Sequence, residues 1–246
     1  MDARIAAFPE PDEIVKFLKK NVRYKEVCQQ IVYQRIVDKV ARDRGIVVTS
    51  QEIQYEADQF RRQAQLERAA DALAWLAKQQ ITPDDWESGI CDRVLIQKLM
   101  KTLFDQDVEQ HFAEHRSDFD QVSLYQIIFS NERLAQEVFY QIKSSKISFY
   151  EAAYLYDVDE QRHIHGGYAG LFYRRMLQPE IAASVFDQAI GQVLTPVATD
   201  QGYHVLMVEK LLPAKLTPEL RQELLQKRFQ NWLEKTLNCV LQSQEL

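Results

Sequence analysis

Glycine, proline and cysteine are scarce in this 246-residue sequence, which contains seven, seven and three of them. A chain with so little glycine and proline has no low-complexity linker between domains. The cysteines, Cys28, Cys91 and Cys239, are odd in number and lie in apolar helical patterns. This predicts core thiols rather than a disulfide framework or a metal site.

Long apolar runs and excess basic charge are also missing. No run approaches the roughly 18 apolar residues that a membrane-spanning helix needs. Thirty Lys and Arg stand against thirty-six Asp and Glu, which gives a formal charge of −6, and this balance disfavours a nucleic-acid-binding surface. Residues 1–8 lack the charged-then-apolar order of a signal peptide, so with Met1 as the start we expect a cytoplasmic protein.

Amphipathic helical patterns occupy the first 120 residues. Apolar side chains recur at every fourth position within 12–43, which predicts one helix there. Thr49-Ser-Gln-Glu52 has the spacing of a capping box. Thr82-Pro-Asp-Asp85 combines a cap, a proline at the first helical position and acidic residues in the first turn. Both segments predict helix starts.

The pattern changes at Val122, where β-forming residues begin. Strands are predicted at 123–129, 170–173, 195–198 and 202–209, and helices at 132–143, 149–156 and 180–188. The order β-α-α-β-α-β-β favours a mixed sheet with helices packed against it. The predicted fold class is therefore α+β.

A last long helix is predicted to begin at Thr217-Pro-Glu219. Its apolar stripe is too extensive to face water alone, so we expect it to complete the all-helical N-terminal domain. The predicted domains are thus 1–120, an inserted 121–213, and a C-terminal helix in 214–246.

Two stretches carry the candidate site, His165-Gly-Gly-Tyr-Ala-Gly-Leu-Phe172 and Gly202-Tyr-His-Val-Leu-Met-Val208. Glycines allow a backbone to turn tightly and to approach its neighbours closely. The second stretch reads as a strand with a single histidine. Together they suggest a shallow site, against the plainer interpretation of a loop that leads into a strand with a buried histidine.

Residues 121–211 resemble a parvulin-type peptidyl-prolyl isomerase domain. The resemblance depends on the element order and on five landmarks: Tyr125-Gln-Ile-Ile128 at the family's Ser-His-Ile-Leu strand, Gly166-Gly-Tyr-Ala-Gly170 for Gly-Gly-Asp-Leu-Gly, Met176 with Pro179-Glu180, Gly191 through Pro196, and Gly202-Tyr-His204. The flanking segments 45–52, 81–103 and 107–119 are similar to the helical domain of SurA- and PrsA-like chaperones.

The resemblance implies a reaction without a cofactor or a covalent intermediate, namely rotation about an Xaa-Pro bond. In the family, histidines, a hydroxyl residue and an acid or thiol lie above an apolar pocket. His204 matches the second histidine, Met176 the pocket methionine and Thr199 the hydroxyl residue. Asp159 or Glu160 falls at the acid position, and the alignment leaves both open.

Several positions depart from the family pattern. Gln126 replaces the first histidine and retains hydrogen-bonding capacity. Ile181 falls near the pocket phenylalanine, Ala169 replaces the pocket leucine, and Tyr168 replaces the aspartate and would refill part of the space. We also predict that Phe172 lines the pocket. These departures predict activity that is weak or absent.

Two further groups have other interpretations. His163 and His165 suggest a metal site, but no third ligand is evident, which favours a solvated loop. Arg174-Arg175 suggests phosphate recognition. The phosphate-directed parvulins instead carry their basic cluster in a longer loop than Ser130-Asn131 allows, so this interpretation is disfavoured.

The leading hypothesis is a prolyl isomerase and chaperone that acts on proline-containing, unfolded or export-bound polypeptide. The alternative is a catalytically inactive binding module or adaptor that delivers such chains to an export machinery. We expect no cofactor, no metal, no nucleic acid and no membrane span in either case.

Overall fold

A computed structural model describes residues 9–244, so residues 1–8, on which the signal-peptide prediction depends, lie outside the described part. The chain forms two compact units. Unit 1 contains the residues up to Val108 together with those from Glu219 onward, and unit 2 is Glu109–Pro218. Within the described range, no helix has both the length and the apolar character needed to cross a membrane.

The described residues form ten α-helices and four β-strands. The helices are α1 (Pro11–Lys20), α2 (Tyr24–Asp43), α3 (Ser50–Gln63), α4 (Ala69–Gln79), α5 (Pro83–Glu114), α6 (Glu132–Lys143), α7 (Phe149–Tyr156), α8 (Glu160–Ile164), α9 (Pro179–Val185) and α10 (Pro218–Gln244). The strands are β1 (Gln121–Phe129), β2 (Tyr168–Tyr173), β3 (Val197–Thr199) and β4 (Gly202–Leu212). Short 3-10 helices span Arg116–Phe119 and Arg174–Met176. The α+β fold class is confirmed.

The single helix predicted over 12–43 is wrong, because α1 and α2 are separate helices. Val22 has a left-handed φ of +58°, and its amide donates to the carbonyl of Lys19. This turn ends α1 before α2 begins at Tyr24. The apolar spacing persists across the break, so periodicity alone did not reveal it.

The helix starts predicted from capping patterns are confirmed. Thr49 Oγ1 accepts from the Glu52 amide at 3.3 Å, and Glu52 Oε2 accepts from the Thr49 amide at 2.8 Å. Thr82 and Asp85 make the same reciprocal pair at 3.1 and 2.9 Å. Each pair satisfies amides that the first helical turn leaves without partners.

Helix α10 shares the core of unit 1 with the N-terminal helices, as predicted. The rings of Phe229 and Trp232 lie 6.5 and 6.4 Å from the ring of Phe104 on α5. Leu225 and Leu233 are buried along the same helix. The apolar stripe seen in the sequence is therefore the face that holds α10 in unit 1.

Unit 2 is built on one four-stranded sheet in the order β2-β1-β4-β3. Every neighbouring pair is antiparallel, so the predicted mixed sheet is wrong. Element order alone did not give the strand directions, which depend on how each connection crosses the sheet. Helix α8 was also missed; it occupies the loop predicted before the glycine segment.

The two faces of this sheet have different covers. On one face, Ile127 and Val205 pack with residues of α6 and α7. On the other, Leu124, Leu206 and Val208 pack with Ile181 and Val185 of α9, which defines the α9 face. Because side chains alternate along a strand, His204 and its partner Ile128 lie on the α9 face.

Candidate functional site

His204 is the most buried polar residue of the α9 face, with 1% of its surface exposed. It lies near the start of β4, opposite Ile128 of β1. Its Nε2 atom is 2.7 Å from Oγ1 of Thr199, the last residue of β3. The β3–β4 hairpin therefore brings together the two residues that the resemblance assigned to the polar layer.

The hairpin turn holds Thr199 in this position. The Gln201 amide donates to Thr199 Oγ1 at 3.1 Å. Gly202 has φ +128°, and a Cβ there would lie 2.5 Å from the Phe129 carbonyl oxygen. Only glycine allows β4 to approach β1 this closely while turning back from Thr199.

Burial lowers the pKa of His204, and the nearby positive charge of Arg162 lowers it further, against smaller opposing effects of Asp200 and Asp157. The imidazole is therefore neutral at neutral pH. Its Nδ1 atom is buried and has no hydrogen-bond partner among the described residues. Nε2 thus shares a hydrogen bond with the Thr199 hydroxyl, and Nδ1 makes none with the described residues.

A buried ion pair beside His204 was missed in the sequence. Asp157 accepts from Arg162 Nε at 2.7 Å and from Nη2 at 2.8 Å, and the Asp157 side chain is fully buried. Its Oδ1 also accepts from the Ile128 amide at 3.4 Å. Since Ile128 is the cross-strand partner of His204, this pair borders the site. The sequence offered one hint of this pair, namely that Asp157 is an acidic residue two positions before the predicted site residue Asp159.

The two acids predicted for the site are exposed. Asp159 caps α8, because its Oδ1 accepts from the Arg162 amide at 2.8 Å, and this backbone hydrogen bond lowers its pKa. Glu160 is the first residue of α8. Of the acids in this segment, Asp157 is therefore the one whose carboxylate reaches β1.

Gln126 shares the α9 face with His204. It pairs with Leu206, two residues along β4 from His204, so the two side chains are diagonal neighbours at roughly 7 Å. The Gln126 amide donates to the Gly167 carbonyl at 2.7 Å, which attaches the glycine segment to β1. The structure therefore brings the glycine segment, Gln126 and His204 into one region.

Three predicted pocket residues pack on the α9 face. Ile181 is buried, and Ala169 and Phe172 pack against the same cluster. Met176 lies at the end of a 3-10 helix with 67% of its surface exposed. Beside it, Gln178 Nε2 donates to Asp200 Oδ1 at 2.9 Å, which ties the start of α9 to the β3–β4 turn.

Tyr168 lies on the other side of the sheet. A bulge between Leu124 and Tyr125 aligns Tyr168 with Tyr125, and their rings are 5.4 Å apart. Tyr125 packs against the core under α6 and α7. The prediction that Tyr168 refills the pocket beside Ala169 is therefore wrong, because the bulge and the strand alternation turn it away.

The remaining histidines lie outside this arrangement. His163 packs its ring 5.4 Å from that of Tyr154, and His165 ends α8. His111 and His115 have ring centroids 4.5 Å apart. Over residues 9–244, no group of three or more His, Cys, Asp or Glu is placed to hold a metal ion.

Comparison with known proteins identifies related chains. Residues 130–210 match the Rotamase family, the PPIC-type PPIASE domain. Foldase protein PrsA of Halalkalibacterium halodurans is 28% identical over 204 residues, which cover 80% of this chain and 60% of that protein. Foldase protein PrsA of Caldanaerobacter subterraneus is 23% identical over 198 residues, with coverages of 80% and 58%. The chain thus spans about three-fifths of the length of these relatives.

Among solved structures, peptidylprolyl isomerase PrsA from Bacillus cereus aligns with a TM-score of 0.49 and 19% identity, over 100% of this chain and 93% of that one. The matched family segment contains β3 with Thr199, the glycine segment, and β4 as far as Lys210, including His204. The resemblance read from the sequence is confirmed. Residues 130–210 thus match the PPIC-type, or parvulin-type, peptidyl-prolyl isomerase domain family.

Proposed function

We propose that unit 2 accelerates cis/trans isomerisation of Xaa-Pro bonds in extended polypeptide, and that the whole chain acts as a foldase and chaperone. The observation that carries this proposal is the buried contact between His204 and Thr199 beside an apolar face. The domain family and the foldases to which the chain is similar support the same reaction.

Isomerisation requires rotation about a partial double bond, with a barrier of about 18–20 kcal/mol. A catalyst lowers this barrier by binding the twisted amide more tightly than either planar form. We assign the proline ring to the apolar surface formed by Ala169, Phe172 and Ile181, with the exposed thioether of Met176 available to cover it. An apolar pocket also removes the water that stabilises the planar, charge-separated amide.

The polar groups act on the amide itself. A neutral His204 is held by Thr199, so a fixed dipole rather than a charge faces the rotating bond. Gln126, on the same face, has a carboxamide that both donates and accepts hydrogen bonds. We assign Gln126 to the carbonyl that loses conjugation during rotation. Asp159 and Glu160 are assigned to the exposed rim, where they contact the client chain.

The test is two-dimensional exchange NMR on a short proline peptide. The wild-type chain is expected to increase the exchange rate, and His204→Ala to lower kcat/KM by about tenfold or more, because the hydroxyl-held dipole is lost. His115→Ala removes an exposed imidazole of the same unit and should leave the rate unchanged. No acceleration by wild-type chain at high concentration would overturn the isomerase proposal.

The chaperone part has a separate test. Wild-type and His204→Ala chains should suppress the aggregation of an unfolding client equally well, since holding a client does not need the bond to rotate. If neither suppresses aggregation, the chaperone proposal fails. The cytoplasmic location and the export machinery as partner stay predictions.

A further inference from the structure

Two buried side-chain polar atoms of the described residues have no hydrogen-bond partner. One is Nδ1 of His204, and the other belongs to Arg174. Arg174 begins the 3-10 helix that ends at Met176. Its guanidinium lies 4.0 Å over the ring of Phe186, at the end of α9. Its Nε atom is buried without a hydrogen-bond partner, and the described residues provide no ion pair for this side chain.

The guanidinium lines a cavity of about 220 Å³ at the edge of the sheet, here called the Arg174 pocket. Aliphatic and aromatic groups form most of its wall. Its other lining residues are Asp120, Gln121, Phe186, Leu211, Leu212 and Pro213.

Stacking determines what this arginine can bind. Phe186 covers one face of the guanidinium, which leaves the edge of the fork for hydrogen bonds in its own plane. The two Nη atoms at the end of the fork match the two oxygens of a carboxylate, and such bidentate pairs are the strong ones. An unpaired fork in a largely apolar pocket therefore fits a planar anion.

Charges around the pocket allow an anion to enter. Asp120 is the acid in the pocket, and its Oδ1 already accepts from the Ala214 amide at 2.8 Å. Arg116 reaches the carbonyl of the same Ala214 at 3.4 Å, and Lys215 is exposed next to it. Two cations besides Arg174 thus offset the charge of Asp120.

We propose that the Arg174 pocket binds the carboxylate of an aspartate or glutamate in the client chain. The proline of that client occupies the apolar surface of Ala169, Phe172 and Ile181 on the face of His204, here called the His204 groove. The proposal rests on the proposed function. Arg174 and the exposed Met176 belong to one 3-10 helix, so the same segment contributes a residue to the pocket and a residue to the groove.

The strand register gives the distance between His204 and the Arg174 pocket. Arg174 follows Tyr173, which pairs with Gln121, and Gln121 pairs with Leu212. Leu212 lies eight residues along β4 from His204, which at about 3.3 Å per residue is about 26 Å. An extended client covers this distance in roughly seven or eight residues. The pocket therefore selects clients with an acid at that distance from the proline.

The experiment uses labelled peptides with one proline and a glutamate roughly seven residues before or after it, each matched by a glutamine peptide. Fluorescence anisotropy with the full chain should show that one glutamate peptide binds about fivefold more tightly than its glutamine partner. Arg174→Gln should abolish this preference. Arg133→Gln, at an exposed arginine on α6, should keep it.

Arg174→Lys serves as a second variant, since it keeps the charge and removes the fork. It should retain only a small part of the preference, while urea unfolding confirms that the variants are folded. Equal binding of glutamate and glutamine peptides in both placements, or a preference that survives Arg174→Gln, overturns the inference. Binding of N-acetylglutamate amide alone as tightly as the peptide overturns the client as the source of the carboxylate.

Failure of the inference differs from failure of the proposed function. Exchange NMR on the glutamine peptides reports isomerisation without the acid. Acceleration there, with no charge preference in binding, leaves the isomerase proposal standing and removes the Arg174 pocket. A charge preference without acceleration removes the isomerase proposal and keeps the pocket.

Discussion

Burial sets the chemical character of His204. An imidazole in water titrates near neutral pH, whereas this one is enclosed by β1, β3 and β4 and is held neutral. Its contact with Thr199 engages Nε2 and leaves Nδ1 without a partner among the described residues. Gln126, the residue at the position of the family's first histidine, lies on the same face as a diagonal neighbour of His204.

The lowered pKa of His204 predicts a pH dependence of stability. Below about pH 6.5 the unfolded chain binds a proton at this residue, whereas the folded chain does not. The free energy of unfolding therefore falls as the pH falls below that value. The full stabilising contribution of His204 is present above it. Urea unfolding from about pH 7.5 to about pH 5 should show a smaller loss in His204→Gln than in the wild type. His115→Gln should behave as wild type; an equal loss in all three would contradict the prediction.

Gly167 is the residue of the glycine segment that tolerates substitution least. It has φ +88°, and a Cβ there would lie 2.9 Å from Ala153 Cβ and 3.2 Å from the Gln126 carbonyl oxygen. Gly167→Ala should destabilise the chain by more than about 2 kcal/mol, from strain and overpacking together.

Gly191 is the matched control for this substitution. It has φ +80°, and no atom of the described part of the chain would lie within 4 Å of a Cβ there, so Gly191→Ala incurs only the backbone strain, about 1 kcal/mol. Urea midpoints of the two variants measure the difference. Similar losses would show that the close packing around Gly167 is unimportant.

At the scale of elements, α8 and the end of β1 depend on each other. Within residues 9–244, no strand pairs with β1 on the β2 side beyond Tyr125. The Gly167 carbonyl and the Asp157 carboxylate accept from the amides of Gln126 and Ile128 there. The Asp157 side chain and the Gly167 turn thus continue the hydrogen bonds along β1 where β2 stops. These bonds place the Asp157–Arg162 pair beside His204.

Removing Asp157 should therefore affect both elements. Asp157→Ala leaves Arg162, whose side chain is 15% exposed, without its buried partner and is expected to cost about 3 kcal/mol. Hydrogen exchange at the Ile128 amide should accelerate in the same variant. Asp159→Asn keeps a capping oxygen on α8, so it should change neither the free energy of unfolding nor the exchange rate of the Ile128 amide much. Unchanged stability in Asp157→Ala would contradict this account.

At the scale of the molecule, the two units have separate cores and separate reporters. The three tryptophans, Trp75, Trp86 and Trp232, all belong to unit 1. The tyrosines Tyr125, Tyr150 and Tyr168 cluster in unit 2. Tryptophan fluorescence therefore follows the unfolding of unit 1 specifically.

Leu225 tests how strongly α10 supports unit 1. It is 1% exposed, so Leu225→Ala should cost about 2–5 kcal/mol and lower the urea midpoint of the tryptophan transition. Leu241, on the same helix, is 49% exposed, and Leu241→Ala should leave that midpoint within error. Equal effects of the two substitutions would show that burial along α10 does not determine its contribution.

Local patterns in the sequence determined much of this protein. The helix starts at Thr49 and Thr82 follow from side chains that bond amides three residues away, and the stripe of α10 follows from a fixed helical period. The site residues His204, Thr199 and Met176 came from motifs of the parvulin type. All of these depend on neighbours in sequence, or on a pattern shared with a family.

Only the tertiary structure decided the rest, because it depends on contacts between residues far apart in the chain. The antiparallel directions of all strands, the bulge that turns Tyr168 away from the groove, and the burial of Asp157 against β1 all arise when the sheet assembles. The stacking of Arg174 on Phe186 is of the same kind. The sequence by itself supplied candidate residues for the site, and packing decided which of them lie together and added Asp157, which the sequence had not marked.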